Sequence, residues 1–213
     1  MFHPLAQQLV STLPGESVCE FGNQRWGGEG EFASVKDFYA SIGYTDYIAL
    51  DVNEDKHAKI ADLNYLVGST KTYDLVTNNG TGEHIFDQRM IYENAHNLSR
   101  QWMLHIMPMI PWINHGFYNY NPILYRDIAA ANKYNASVFI ANRWGKRIDL
   151  LDEDMYKEKR PKVLEEACGK LSKKGGVFVC AIFEKTHQGP FELPFQGKYK
   201  GDIADERIRE TYT

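Results

Sequence analysis

The chain has 213 residues, of which 43% are hydrophobic and 24% charged, and its formal net charge is −4 at pH 7. These values are typical of a folded domain, and the 13 Tyr, 11 Phe and 4 Trp exclude a disordered chain. The acidic balance and the scattered basic residues argue against a nucleic-acid-binding protein, whose binding face is normally basic.

Features that would direct the chain to a membrane or an oxidising compartment are not evident in the sequence. Residues 1–13 do not have the basic start and apolar core of a signal peptide, and no apolar run approaches the ~18 residues that span a membrane. Cys19, Cys168 and Cys180 lie far apart without a CxxC pair, which indicates reduced thiols. We therefore expect one cytoplasmic domain over residues 1–213, with neither a membrane nor a nucleic acid as partner.

Apolar periodicity predicts an alternation of helices and strands along the chain. The predicted elements are, in order, helix 2–13, strand 17–21, helix 31–42, strand 47–50, strand 74–77, helix 86–99, strand 102–107, helix 122–132, strand 137–141, helix 162–173 and strand 176–183. Such alternation is typical of α/β proteins with a mostly parallel sheet.

Glycines, carboxylates and amides follow the first three predicted strands. The strand ends carry Glu20 to Gln24, Asp51 to Asn53, and Asn78 to Gly82. In an open parallel sheet, ligands bind outside the carboxyl ends of the strands, where glycine allows close approach of the backbone. Turns favour these residue types for conformational reasons too, but their joint placement after three strands favours a nucleotide-type ligand.

A dinucleotide is one candidate ligand. Gly28, Gly30 and Ala33 match the G-x-G-x-x-G/A pattern, and Asp51 follows at about the required distance of ~20 residues. The pattern begins too long after the first strand for the tight turn that it requires, however. Glu29 and Glu31 would also place negative charge beside the pyrophosphate. An NAD(P)-dependent oxidoreductase is therefore the less favoured alternative.

Four segments resemble, in the same order, the motifs of class I S-adenosylmethionine-dependent methyltransferases: VCEFG at 18–22, YIALD at 47–51, ADLN at 61–64, and YDLVTN at 73–78 with GEH at 82–84. The resemblance implies a Rossmann-like, mostly parallel seven-stranded sheet with helices on both faces, and S-adenosylmethionine as the cofactor. It implies that the cofactor-binding residues are Glu20, Gly22, Asn23, Gln24, Asp51, Val52, Asp62, Leu63, Asn78 and Gly80.

The first motif departs from the family pattern, because Gly22 is followed by Asn23 and Gln24 instead of a second glycine. These amides either bind the amino-acid end of the cofactor or fill its space. A non-catalytic binding protein with the same fold therefore stays open as an alternative to a methyltransferase that acts on a small molecule.

Two histidines follow strands at the expected site. Methyl transfer requires aligned reactants and, for a hydroxyl or ammonium acceptor, a base that removes a proton. His84 and His115 are the predicted bases, with Glu83 beside His84. The aromatic and amide-rich segment 112–125 is predicted to be a substrate wall or lid, with a packed loop that covers the sheet as the alternative. Its residues 115–122 resemble a stretch found in some small-molecule methyltransferases. Histidines and carboxylates do not recur at ligand spacing, so no metal site is predicted.

Overall fold

Strands and helices alternate along the chain in the computed structural model, which describes residues 1–27, 32–150, 162–172 and 175–211. The strands are β1 (Ser17–Phe21), β2 (Asp46–Asp51), β3 (Ala58–Ile60), β4 (Tyr73–Asn79), β5 (Ser99–Ile110), β6 (Asn135–Asn142), β7 (Arg147–Asp149) and β8 (Val177–Glu184). The helices are α1 (Pro4–Val10), α2 (Val35–Ser41), α3 (Gln88–Leu98), α4 (Pro122–Ala131), α5 (Lys162–Ser172) and α6 (Glu206–Thr211). Among these helices none combines the length and the apolar character needed to cross a membrane.

The strands form one sheet in the order β3-β2-β1-β4-β5-β8-β6-β7. The five strands from β3 to β5 are parallel, whereas β8 runs antiparallel to both β5 and β6. The sheet thus has eight strands among the described residues instead of the expected seven. The additional strand arises because Gly145, at φ 86°, closes a tight turn after β6 that folds β7 back onto it.

Two helices begin at side-chain caps. The Ser34 hydroxyl accepts a hydrogen bond from the backbone N–H of Asp37, so α2 starts at Val35, later than the predicted residue 31. Asp87 caps α3 in the same way. Residues 28–31 lie outside the described residues, and with them both glycines of the dinucleotide-like pattern.

Two core clusters join helices to the sheet. Val18 and Cys19 are successive buried residues of β1, so their side chains point to opposite faces. Val18 belongs to the core cluster that contains residues of α1 and α2, and Cys19 to the cluster that contains residues of α3 and α4. Since β1 is buried along its whole length, the carboxyl end of this central strand is a rigid base for a site.

Candidate functional site

The carboxyl ends of β1, β2 and β4 lie side by side in the sheet. Phe21 of β1 pairs with Leu50 of β2 on one side and with Asn78 of β4 on the other. The backbone N–H of Gly22 donates a 2.7 Å hydrogen bond to the carbonyl of Leu50, which fixes the turn after β1. The three polar strand ends therefore converge on one edge, as the sequence predicts.

A cavity of about 570 Å³ opens at this edge, and we call it the carboxylate cavity. It is lined by Met1, Gly22, Asn23, Gln24, Arg25, Leu50, Asp51, Val52, Asn53, Ala61, Asp62, Leu63, Asn64, Gly80, Thr81, His84 and Ile85. Eight of the ten predicted cofactor-binding residues are on this wall, all except Glu20 and Asn78.

The Asp51 carboxylate is held in place by the two loops beside it. Its Oδ2 accepts a hydrogen bond from the backbone N–H of Asn23 at 2.7 Å, and its Oδ1 accepts from the backbone and side-chain amides of Asn53 at 2.9 and 3.0 Å. Partial burial opposes ionisation, but these hydrogen bonds outweigh it and lower the pKa of Asp51. The carboxylate is therefore a fixed, charged acceptor on the cavity wall.

The other side of the carboxylate cavity combines a second carboxylate with apolar groups. Asp62 accepts hydrogen bonds from the backbone and side-chain amides of Asn64 at 2.9 and 2.8 Å, and these lower its pKa. Leu63, which is buried, and Ile85 line the same cavity. An apolar slot with a carboxylate at its edge suits a flat heteroaromatic ring that carries an amino group.

Gln24 bridges the ends of β1 and β4. Its side-chain amide N–H donates to the carbonyl of Asn79 at 2.9 Å and to the Thr81 hydroxyl at 3.3 Å. Gly22 has a φ of 80°, and a Cβ at this position would clash with the Thr81 hydroxyl. Glycine is thus required here both by conformation and by the close approach of Thr81 in the turn after β4.

A second cavity, of about 320 Å³, adjoins the first, and we call it the histidine cavity. It is lined by Met1, His3, Asn79, Gly80, Glu83, His84, Pro108, Trp112, His115, Arg143 and Phe178. Met1, Gly80 and His84 line both cavities, so the two spaces meet at the end of β4.

The three predicted catalytic residues meet in the histidine cavity. Glu83 Oε1 lies 3.7 Å from His84 Nε2 and 3.5 Å from His115 Nε2. The two imidazole rings pack edge to face, with their centroids 5.2 Å apart. Burial raises the pKa of Glu83 to about 7. Burial and the neighbouring His115 lower the pKa of His84. The three donor atoms all lie within 4.8 Å of one another, a proximity that the prediction of no metal site did not anticipate.

The loop before α4 brings His115 to Glu83. Asn114 has a φ of 62°, which turns the chain, and the backbone N–H of Phe117 donates a 2.7 Å hydrogen bond to the Glu83 carbonyl. A Cβ on Gly116 would lie 2.8 Å from both Glu83 Cγ and Glu83 O. Glycine at 116 therefore allows this loop to lie directly on Glu83.

Two predicted cofactor-binding residues do not line the carboxylate cavity. Glu20 is fully buried within β1, where the Tyr47 hydroxyl donates to its Oε2 at 2.8 Å, and burial raises its pKa to about 8. Asn78 is buried in β4, its Oδ1 accepts from the backbone N–H of Gly82, and its Nδ2 faces His105. Asn78 thus holds the turn that carries Glu83.

Several wall residues are not among the predicted ones. Thr81, Asn64 and Arg25 line the carboxylate cavity, and Arg143 lines the histidine cavity. Loop polarity alone carries too weak a signal to single them out. The residues of segment 112–125 lie in different places. Trp112 lines the histidine cavity, and Tyr125 is buried in the core. Residues 118–121, 123 and 124 line a separate cavity of about 360 Å³.

No protein-family model matches the chain, and no curated protein sequence matches it. Among solved structures, a chain in the complex of the Haloferax volcanii Trm112 methyltransferase activator with a proposed methyltransferase is 14% identical, with a TM-score of 0.55 over 86% of this chain and 89% of that one. The methyltransferase domain of bacterial CtHen1-C is 12% identical, with a TM-score of 0.50 over 85% and 95%. The plantazolicin methyltransferase BpumL, in complex with a pentazolic desmethylPZN analogue and SAH, is 10% identical, with a TM-score of 0.50 over 85% and 81%. The chain therefore has the Rossmann-like fold of the class I methyltransferases.

Proposed function

We propose that the protein is an S-adenosylmethionine-dependent methyltransferase that binds its cofactor in the carboxylate cavity and a small acceptor molecule in the histidine cavity. The observation that supports this most directly is the junction of the two cavities at Gly80 and His84. A methyl donor and an acceptor must approach each other closely and in line, and two adjoining cavities with a shared wall provide this arrangement.

The residues of the carboxylate cavity fit S-adenosylmethionine. The ribose hydroxyls are hydrogen-bond donors, and Asp51 presents a fixed carboxylate as their acceptor. Asp62 can accept from the adenine amino group, while Leu63 and Ile85 supply apolar contacts for the ring. Arg25 offers a cation for the cofactor's carboxylate. When bound, the cofactor supplies a methyl group on a positively charged sulfur.

The residues of the histidine cavity suit the acceptor. A volume of about 320 Å³ is at the small end of ligand pockets, which favours a small molecule over a peptide or RNA segment. The rings of Trp112 and Phe178 pack together, with their centroids 5.1 Å apart, and form an apolar wall. The Glu83–His84–His115 cluster lies at the junction with the carboxylate cavity, where the acceptor must lose its proton.

A second candidate function is binding without catalysis, and the position of Gln24 favours it. The Gln24 side chain crosses from β1 to β4, at the end of the carboxylate cavity that the methionine part of the cofactor would use. If this side chain stays in place, it limits the space for the cofactor.

Calorimetric titration of the protein with S-adenosylmethionine, its demethylated product and NAD⁺ tests the proposal. We expect micromolar binding of the first two and none of NAD⁺. Binding should be followed by methylation of small hydroxylated or amino acceptors in a screen that uses isotopically labelled cofactor. Absence of binding by the wild-type protein, together with binding by a Gln24→Gly variant, would show that Gln24 closes the cavity and would replace the proposal with the non-catalytic function.

A further inference from the structure

The Glu83–His84–His115 cluster has the spacing of a metal site instead of a hydrogen-bonded group. Glu83 Oε1 lies 3.5 Å from His115 Nε2 and 3.7 Å from His84 Nε2. Both distances exceed the 2.7–3.2 Å of an ordinary N–H···O hydrogen bond. Two ligand atoms that are each about 2.1 Å from one tetrahedral metal ion lie about 3.4 Å apart. The two Glu83–histidine separations are therefore close to those of atoms that share a cation, and all three donor atoms lie within 4.8 Å of one another.

A second observation at Glu83 also points to a missing partner. The Glu83 side chain is 1% exposed, and its Oε2 has no hydrogen-bond partner among the described residues. Burial of a carboxylate without compensation is unfavourable, and proteins normally offset it with a paired charge or a metal ion. The nearby imidazoles face Oε1, which leaves Oε2 without a partner.

We propose that Glu83, His84 and His115 bind one divalent transition-metal cation, with open coordination positions that face the histidine cavity. Two imidazoles and one carboxylate suit Zn²⁺, Mn²⁺, Co²⁺ or Fe²⁺, whereas Ca²⁺ and Mg²⁺ prefer sets of oxygen ligands. Both histidine side chains are about half exposed, at 48% and 45%, which leaves the metal accessible to a ligand in the cavity.

The role of the cation in catalysis rests on the proposed function. A cation with open positions lowers the pKa of a hydroxyl group that binds to it. An acceptor hydroxyl bound there loses its proton to solvent, and its oxygen forms a bond to the methyl carbon as the bond between that carbon and the cofactor's sulfur breaks. This chemistry selects an acceptor with a hydroxyl group, preferably with a second oxygen beside it that also reaches the metal.

Direct metal binding tests the inference without reference to activity. Protein without an affinity tag, treated with chelator and then dialysed, is titrated with Zn²⁺ by calorimetry and with Co²⁺ by optical spectroscopy. We expect one ion of either metal per chain, with micromolar or tighter affinity, and no comparable binding of Ca²⁺. The Co²⁺ spectrum should show nitrogen and oxygen ligands.

Two single variants, their double variant and a control make the test specific to these residues. His84→Ala and His115→Ala should each weaken Zn²⁺ binding at least tenfold, and the double variant should abolish it. His57→Ala is the matched control, because His57 lies in the connection between β2 and β3 and lines neither cavity. Its metal affinity should equal that of the wild-type protein. Circular dichroism checks the fold of each variant.

The inference is overturned if the wild-type protein binds neither Zn²⁺ nor Co²⁺, or if the His84→Ala and His115→Ala variants bind as tightly as the control. Titration of the same samples with S-adenosylmethionine separates this result from a failure of the proposed function. Metal binding without cofactor binding supports the metal site and refutes the methyltransferase proposal. Cofactor binding without metal binding supports the methyltransferase proposal and refutes the metal site.

Discussion

Replacement of Asp51 by asparagine removes one charge from the wall of the carboxylate cavity with little change in side-chain volume. The Asp51 carboxylate accepts hydrogen bonds from the Asn23 backbone at 2.7 Å and from both amides of Asn53 at 2.9 and 3.0 Å. An amide at position 51 keeps one acceptor oxygen and turns the other into an N–H donor. The substitution therefore weakens the loop contacts and removes the charged acceptor that we assign to the ribose.

The expected loss of affinity follows from the type of hydrogen bond. Hydrogen bonds to charged groups contribute about 1.5–3 kcal/mol, which corresponds to a roughly 10- to 100-fold increase in Kd. Calorimetric titration of Asp51→Asn with S-adenosylmethionine and with its demethylated product measures this increase. Urea unfolding of the same variant, in the absence of ligand, separates loosening of the loops from loss of the ribose contact.

A matched substitution and a modified ligand complete the test. Asp55→Asn removes an exposed carboxylate outside the cavity and should leave both affinities unchanged. A 2′-deoxy analogue of the demethylated product should bind more weakly than the parent compound to the wild-type protein, but about equally well to Asp51→Asn. Equal loss of affinity for the analogue in both proteins, or wild-type affinity in Asp51→Asn, would refute the ribose assignment.

Three further substitutions test the structural roles of individual residues. Burial raises the pKa of Glu20 from 4.5 to about 8, so the free energy of unfolding should fall as the pH rises between these values. Glu20→Gln should abolish this pH dependence in urea unfolding and leave the affinity for the cofactor unchanged. Gly116→Ala should lower the free energy of unfolding by about 1–3 kcal/mol, because the added Cβ meets Glu83. Gly68→Ala is the control, since a Cβ there has no atom within 4 Å. Equal losses of stability in the two variants would contradict this reasoning. Burial opposes ionisation of Asp74, but its hydrogen bonds lower its pKa to about 2. The free energy of unfolding should therefore fall as the pH drops from about 4 to 2. If Asp74→Asn shows the same dependence of this free energy on pH as the wild-type protein, Asp74 is not its source.

The central strands are predictable from sequence, but the two shortest are not. All six predicted strands are present, because each is a run of apolar residues that the sheet buries. The strands β3 and β7 have three residues each, and all of these are exposed or half-buried. Edge strands of this kind have no apolar pattern, since backbone pairing with β2 and β6 holds them in place.

The side of the sheet to which a residue points limits prediction at the strand ends. The third predicted strand ends at residue 77, whereas β4 continues to Asn79. A residue inside a strand has its side chain on a face of the sheet, whereas a residue in the turn after the strand can face the cavity. Asn78 and Glu20 both lie inside their strands and are buried, although only the end of β4 differs from the predicted one. Asp51 differs, because it is the last residue of β2 and its side chain meets the turn after β1.

The Glu83–His84–His115 cluster shows why a set of metal ligands cannot always be predicted from residue spacing along the sequence. His84 and His115 are far apart in the chain and follow different strands, so no short motif contains both. The contact depends on the positive φ of Asn114 and on the absence of a side chain at Gly116, neither of which marks a metal site when read alone. Because β4 and β5 are neighbours in the sheet, the turns after them lie together, and the two histidines share one buried carboxylate. The donor atoms are thus brought together by the topology of the sheet, and the two loop conformations set their spacing.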